Sequence, residues 1–205
     1  MEERKTISCT AFKGDECVAS GNLLKVAGKV KEIFDQDERA SLLIFNDDTS
    51  DLVEVDFRGT AEDVLKRMAT RLAEEETANL SPDRDPRSRP GPGRPKLGVV
   101  SREVTLLPRH WEWLKRQPGG ASVALRKLVE EARRKNSRKD RVRYAQEAAY
   151  KFMSAMAGNF PGYEEALRAL FAGDSERFDN LIASWPVDIR DHTRKLSSPV
   201  FQKPE

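Results

Sequence analysis

The sequence predicts an α+β chain: a small N-terminal ββαββα domain, a central strand followed by two short helices, and an all-helical C-terminal part. Three observations predict it. Apolar and polar residues alternate in short runs between Thr6 and Phe57, the pattern of half-buried strands. Residues 79–98 then break every periodicity with five prolines, three glycines and a series of arginines. Beyond one more strand-length segment, apolar residues recur at helical spacing as far as Pro186.

In chain order, Thr6-Ile7-Ser8-Cys9-Thr10-Ala11-Phe12 alternates, and Lys13-Gly14-Asp15-Glu16 reads as a hairpin turn before Cys17-Val18-Ala19-Ser20. Gly21-Asn22 opens a helix with Val26, Val30, Ile33 and Phe34 on one face. Ser41 to Phe45 is a continuous apolar run of strand length. Leu52 to Phe57 alternates again, directing Val53, Val55 and Phe57 inward after a polar turn at 46–51. Thr60 and Asp63 make a capping-box-like pair ahead of a helix whose stripe is Val64, Leu65, Met68 and Leu72. This domain is placed at 1–78 and the Pro/Gly/Arg-rich segment, read as an extended linker, at 79–98.

The central segment is placed at 99–137. Residues 102–107 read as a strand, and Pro108 starts a helix of about residues 109–117 that buries Trp111 and Leu114. Pro118-Gly119-Gly120 breaks it, and a second helix runs to about Lys135 with Ala124, Leu125, Leu128, Val129 and Ala132 as its apolar face. The C-terminal part, 138–205, holds helices at about 140–157, 162–172 and 175–184, with a short helix after Pro186.

Composition narrows the function classes. Of 205 residues, 34% are charged and 38% hydrophobic, enough for one or two modest cores. No apolar stretch is long enough to cross a bilayer, and Met1-Glu2-Glu3-Arg4-Lys5 has no signal-peptide character, so a soluble, cytoplasmic protein is expected. Two cysteines, Cys9 and Cys17, make neither a disulfide framework nor a thiolate metal site, and both are expected as small core residues on paired strands. The formal net charge of +2 conceals a segmentation: −7 over residues 1–80, +11 over 81–143 and −2 over 144–205. A basic block of that size points to a polyanion, or to a solvated basic linker.

The order Arg102-Glu103-Val104-Thr105-Leu106-Leu107-Pro108, helix, Pro118-Gly119-Gly120, helix resembles a ribbon-helix-helix DNA-binding unit over about residues 99–135. That resemblance implies a homodimer: two chains pair strand 102–107 antiparallel, and the ribbon enters the major groove. The register that buries Val104 and Leu106 turns Glu103, Thr105 and Leu107 outward, and Arg102 is placed to reach a phosphate. The start of the second helix, Gly120, Ala121, Ser122 and Val123, would offer backbone amides and the Ser122 hydroxyl to a phosphate. In the linker, Pro92-Gly93-Arg94-Pro95-Lys96 resembles an AT-hook, with Pro92 where the first arginine of that motif stands; Arg94 and Lys96 would then contact the minor groove. Seven positive charges between Arg133 and Arg143 suit phosphate tracking or a solvated helix–helix junction. The stretch from Gly93 to Ala132 also resembles a family of uncharacterised bacterial proteins, which implies a bacterial cytoplasmic origin and no defined activity.

Other polar residues attract no chemistry. His110, beside Trp111 and Trp113, falls at the exposed start of a short helix, and His192 has no Cys, Asp or Ser partner at a meaningful spacing. Asp47, Asp48 and Asp51 lack the glycine and terminal glutamate of a calcium loop and read as a polar turn. With no Gly-rich phosphate loop or nucleophile motif, no enzyme, metal or cofactor is expected. The expectation is a dimeric DNA-binding protein, a transcriptional regulator or nucleoid-associated protein, with accessory domains that bind an effector or a protein partner. The alternative is an oligomerisation module whose basic block binds an acidic protein.

Overall fold

The structure, a computed structural model, describes residues 7–37, 39–80 and 102–202. It is a mixed α+β fold, mostly helical, in two compact units: Met1–Thr77 with Lys139–Glu205, and Ala78–Arg138. The linker residues 81–98, with Arg94 and Lys96, lie outside the described residues.

The larger unit is organised on a three-stranded antiparallel sheet of order β2-β1-β3. Strands β1 (Ser8–Lys13) and β2 (Glu16–Asn22) form the expected hairpin, closed by Gly14-Asp15 between paired Lys13 and Glu16. Strand β3 (Leu42–Asn46) pairs with the other edge of β1. The period of two then sorts the side chains. Cys9, Ala11, Leu42 and Ile44 belong to one apolar cluster, and Phe12, Leu43 and Phe45 to another. Both faces of the sheet are therefore covered, and this is why Leu42-Leu43-Ile44-Phe45 is apolar without interruption.

One face is covered by α1 (Leu23–Gln36) and α2 (Ala61–Leu80), through Leu23, Val26, Ala27, Val30, Val64 and Met68. Asn22 caps α1 by accepting the Leu24 amide at 2.8 Å. Thr60 and Asp63 form the reciprocal box at the start of α2: Asp63 N–H donates to Thr60 Oγ1 at 3.2 Å, and Thr60 N–H to Asp63 Oδ2 at 2.9 Å. Helix α2 extends to Leu80, past the last residue of its expected stripe, Leu72. Its continuation, Ala73-Glu74-Glu75-Glu76, is strong in helix propensity and needs no apolar stripe to remain helical.

The fourth strand expected at Leu52–Phe57 is not formed; the segment makes a single bridge, Leu52 to Phe45. The inward alternation is nevertheless present, since Val53, Val55 and Phe57 are half-buried and their neighbours exposed. Phe57 stacks on Phe34 with centroids 5.3 Å apart. Arginines of α2 hold the segment on its other edge: Arg67 donates to the Asp56 and Arg58 carbonyl oxygens, and Arg71 to that of Glu54.

The opposite sheet face packs against helices from the other end of the chain. They are the last part of α4 (Gly120–Met156), α5 (Tyr163–Ala172), α6 (Ser175–Ile182) and α7 (Val187–Phe201). Phe12, Phe45 and Phe152 meet with centroids 5.1–6.1 Å apart, surrounded by Ala149, Met153, Leu170, Phe178 and Ile189. Trp185 is buried with its indole N–H donated to Pro161 O at 3.0 Å. The N-terminal sheet and the C-terminal helices thus share one core, within a single unit. The helix after Pro186 is also longer than expected, spanning Val187–Phe201.

Helix α4 contains both the second central helix and the helix expected from about residue 140, with no break at the basic run. No glycine or proline occurs from Ala121 to Met156, so nothing in the backbone chemistry stops it. Charge alone does not end a helix when the side chains are solvated.

Candidate nucleic-acid interface and a buried polar cluster

The smaller unit carries the described candidate DNA-contacting residues. Helix α3 (Pro108–Lys115) starts with Pro108 in its first turn, as expected, and Leu107 is the extended residue before it. The helix closes through Arg116 N–H to Trp113 O at 3.1 Å and Gln117 N–H to Leu114 O at 3.1 Å. Gly119 and Gly120 then both adopt positive φ, +83° and +76°, a pair that redirects the chain into α4. At Gly119 a Cβ would also stand 3.1 Å from Val123, so a side chain there meets both backbone strain and a neighbour.

Residues 102–107 form neither helix nor strand in the single chain. The strands found among the described residues, β1–β3, pair with one another, and an isolated segment has no ladder partner. Glu103, Thr105 and Leu107 are exposed, as expected; Arg102 is exposed as well, and Leu106 is half-buried. Val104 departs from the expected register: it is 53% exposed. Among residues 102–138 the buried side chains are Leu114 and Ala124, with Trp111 half-buried. Leu107, Trp113, Leu128 and Val129 of the same unit are 45–64% exposed, so the expected apolar face of α4 is largely open to solvent.

At the start of α4, the Gly120 N–H donates to Gln117 O at 3.0 Å and is not available to a phosphate. Ala121 and Val123 are half-buried and Ser122 is exposed. The first turn contains no acidic side chain to oppose an anion. Farther along, residues 131–138 are exposed without exception. Glu130 pairs with Arg133 at 3.4 Å and Arg134 at 3.3 Å, both at the surface.

In the larger unit the structure assembles a polar cluster that the sequence did not reveal. Asp47, in the turn after β3, accepts hydrogen bonds from Ser8 Oγ at 2.8 Å, Thr10 Oγ1 at 2.7 Å and Lys195 Nζ at 3.0 Å. Burial alone would push its carboxyl up, but these donors outweigh it and hold the group below the ordinary carboxylate range. His192, on the same helix as Lys195, is buried with its ring 4.5 Å from Phe152 and 5.4 Å from Phe12. Burial, together with nearby Lys195, pulls the imidazole down to about 4. His192 Nε2, Thr193 Oγ1 and Ser50 Oγ have no protein hydrogen-bond partner among the described residues. The aspartate turn expected at 46–51 is present, with Asn46 N–H donated to Asp51 O at 3.0 Å, but Asp47 points inward rather than to solvent.

The cysteines divide. Cys9 is buried, and burial followed by the Asp47 charge pushes its thiol up to about 11. Cys17, expected in the core, is exposed near the turn end of β2, where its amide N–H donates to Asp188 at 2.8 Å. No group of three or more His, Cys, Asp or Glu side chains among the described residues is placed to hold a metal ion. Also among them, no helix is long and apolar enough to cross a membrane.

Residues 8–197 match a family described as "Uncharacterized protein conserved in bacteria (DUF2239)". The chain belongs to the DUF2239 family. The match takes in the shared core of the larger unit, the candidate interface and the Asp47 cluster. No curated protein and no solved structure matches the chain.

Proposed function

We propose that this DUF2239 protein is a dimeric, cytoplasmic DNA-binding protein, a regulator or nucleoid-associated protein, that acts without catalysis. In this reading residues 102–107 pair with those of a second copy as a ribbon-helix-helix-like ribbon. Glu103 and Thr105 face the major groove, Arg102 reaches a phosphate, and Ala121, Ser122 and Val123 sit against another. Arg94 and Lys96 of the Gly-Arg-Pro arm add contacts in the minor groove.

The observation that carries the reading is the composition of the smaller unit's surface. Its described residues bury Leu114 and Ala124 while exposing Val104, Leu107, Trp113, Leu128 and Val129 among many cations. An extended segment, a short helix and the first half of α4 with so little core need a second copy to bury their apolar faces. The cations beside those faces, within the +11 block of residues 81–143, favour a polyanion as the ligand of that dimer.

The same apolar exposure supports a second reading, an oligomerisation module whose basic block meets an acidic protein. A mobility-shift titration with scrambled duplex DNA at two salt concentrations separates them. The DNA reading expects binding that weakens steeply with salt and falls in the double variant Arg94→Ala, Lys96→Ala. Absence of binding at low salt would overturn it.

A further inference from the structure

We infer that Lys127 and residues 133–138 of α4 form a second contact surface, one that grips the phosphate backbone of a duplex without reading its sequence. The inference rests on the DNA-binding reading above and adds to it a site outside the ribbon, the Gly-Arg-Pro arm and the start of α4.

Residues 133–138 read Arg-Arg-Lys-Asn-Ser-Arg: four cations, no acid and no apolar side chain. All six are exposed. A helix that is polar all round has nothing to bury, so packing against an apolar protein surface does not account for it. The two neutral residues turn back on the helix itself. Asn136 Nδ2 donates to Ala132 O at 2.9 Å, and Ser137 Oγ to Arg134 O at 2.9 Å. What the segment offers outward is positive charge.

The spacing of that charge is directional. Lys127, Arg134 and Arg138 stand at i, i+7 and i+11 and therefore share one face of α4, separated along its axis by about 10 and about 6 Å. Arg133 and Lys135 flank that row. Two acids lie near it: Glu131, exposed on the same face at i+4 from Lys127, and Glu130, engaged with Arg133 and Arg134 in surface pairs that contribute little and are readily exchanged for phosphate.

The chemistry favours a nucleic-acid backbone over an acidic protein. Protein interfaces draw most of their energy from buried aromatic or aliphatic anchors, and residues 133–138 contain none. Three of the four cations are arginine, whose planar fork matches phosphate oxygens in pairs. The same stretch has no aromatic ring on which an unpaired base could stack, so a duplex suits it better than a single strand.

The test uses the full chain and a labelled duplex of scrambled sequence, titrated across a salt series as DNA and, separately, as RNA. The variant combines Arg133→Gln, Arg134→Gln, Lys135→Gln and Arg138→Gln, since glutamine keeps helix propensity; circular dichroism checks the fold. The inference expects this variant to weaken duplex binding and to reduce the slope of log affinity against log salt by about 3. A companion variant with Arg133→Lys, Arg134→Lys and Arg138→Lys keeps the charge and should keep the slope. If the unaltered chain binds duplex and the glutamine variant leaves its slope unchanged, the inference fails while the DNA-binding reading stands. If the unaltered chain binds no duplex at low salt, both fail. Stronger binding of poly-glutamate than of either duplex would also overturn the assignment of phosphate as the ligand.

Discussion

Lys195 Nζ lies 3.0 Å from Asp47 Oδ2, joining helix α7 to the turn after β3 across 148 positions of sequence. The lysine is exposed, but the Asp47 side chain retains only 9% of its accessible surface. With Ser8 and Thr10 also donating to that carboxylate, one residue ties two strands and the C-terminal helix together. Replacement of Asp47 by Ala would leave several donors unmatched, two of them from β1. The expected loss is about 2–3 kcal/mol of unfolding free energy. Urea denaturation measures it, and an unchanged midpoint would show that the cluster is structurally idle.

Acid sensitivity follows from His192. Its ordinary value is 6.5 and its folded value about 4, lowered by burial and then by Lys195. The unfolded chain therefore takes up the proton first as the pH falls. Stability from this group is complete above pH 6.5, declines between 6.5 and about 4, and is then level; the span is about 3 kcal/mol at most. Asp47, held below its ordinary value, adds a further loss at still lower pH. Stability curves of the native chain and of His192→Gln should diverge across the upper window. Parallel curves there would contradict the role given to His192.

Thiol labelling checks the two sheet faces. Cys17 is exposed and should react with a maleimide in the native protein, whereas Cys9, fully buried, should react only on unfolding. Equal labelling of both in native buffer would place Cys9 outside the core.

The hairpin at Gly14-Asp15, the Thr60–Asp63 box and the inward set Val53, Val55 and Phe57 follow from local rules, which a single sequence displays. The missing strand at Leu52–Phe57 does not: the segment makes a single bridge to β3, and its other edge is held by Arg67 and Arg71 from distant α2. The partnership of the sheet with the C-terminal helices is non-local too, although the uninterrupted apolar run Leu42–Phe45 was its signal, since a strand covered on one face alternates. Asp47 and His192 lie 145 positions apart in sequence, and nothing in residue spacing joins them. At the candidate interface the exposure of Glu103 and Thr105 was legible, whereas Val104, expected to be buried, is 53% exposed in the single chain.

The proposed second copy can be tested directly. If Val104 is covered by the second copy, Val104→Asp should shift the chain from dimer to monomer at micromolar concentration and leave its helical dichroism unchanged. A dimer of undiminished stability in this variant would remove residues 102–107 from the interface.

The account stands most directly on the mass of the complex with DNA. Light scattering on the full chain, mixed with a scrambled duplex in low salt and separated by size exclusion, should give two chains per duplex, dissociating as salt is raised. A species of one chain per duplex would contradict the dimer, and free protein eluting apart from the duplex would contradict DNA binding itself.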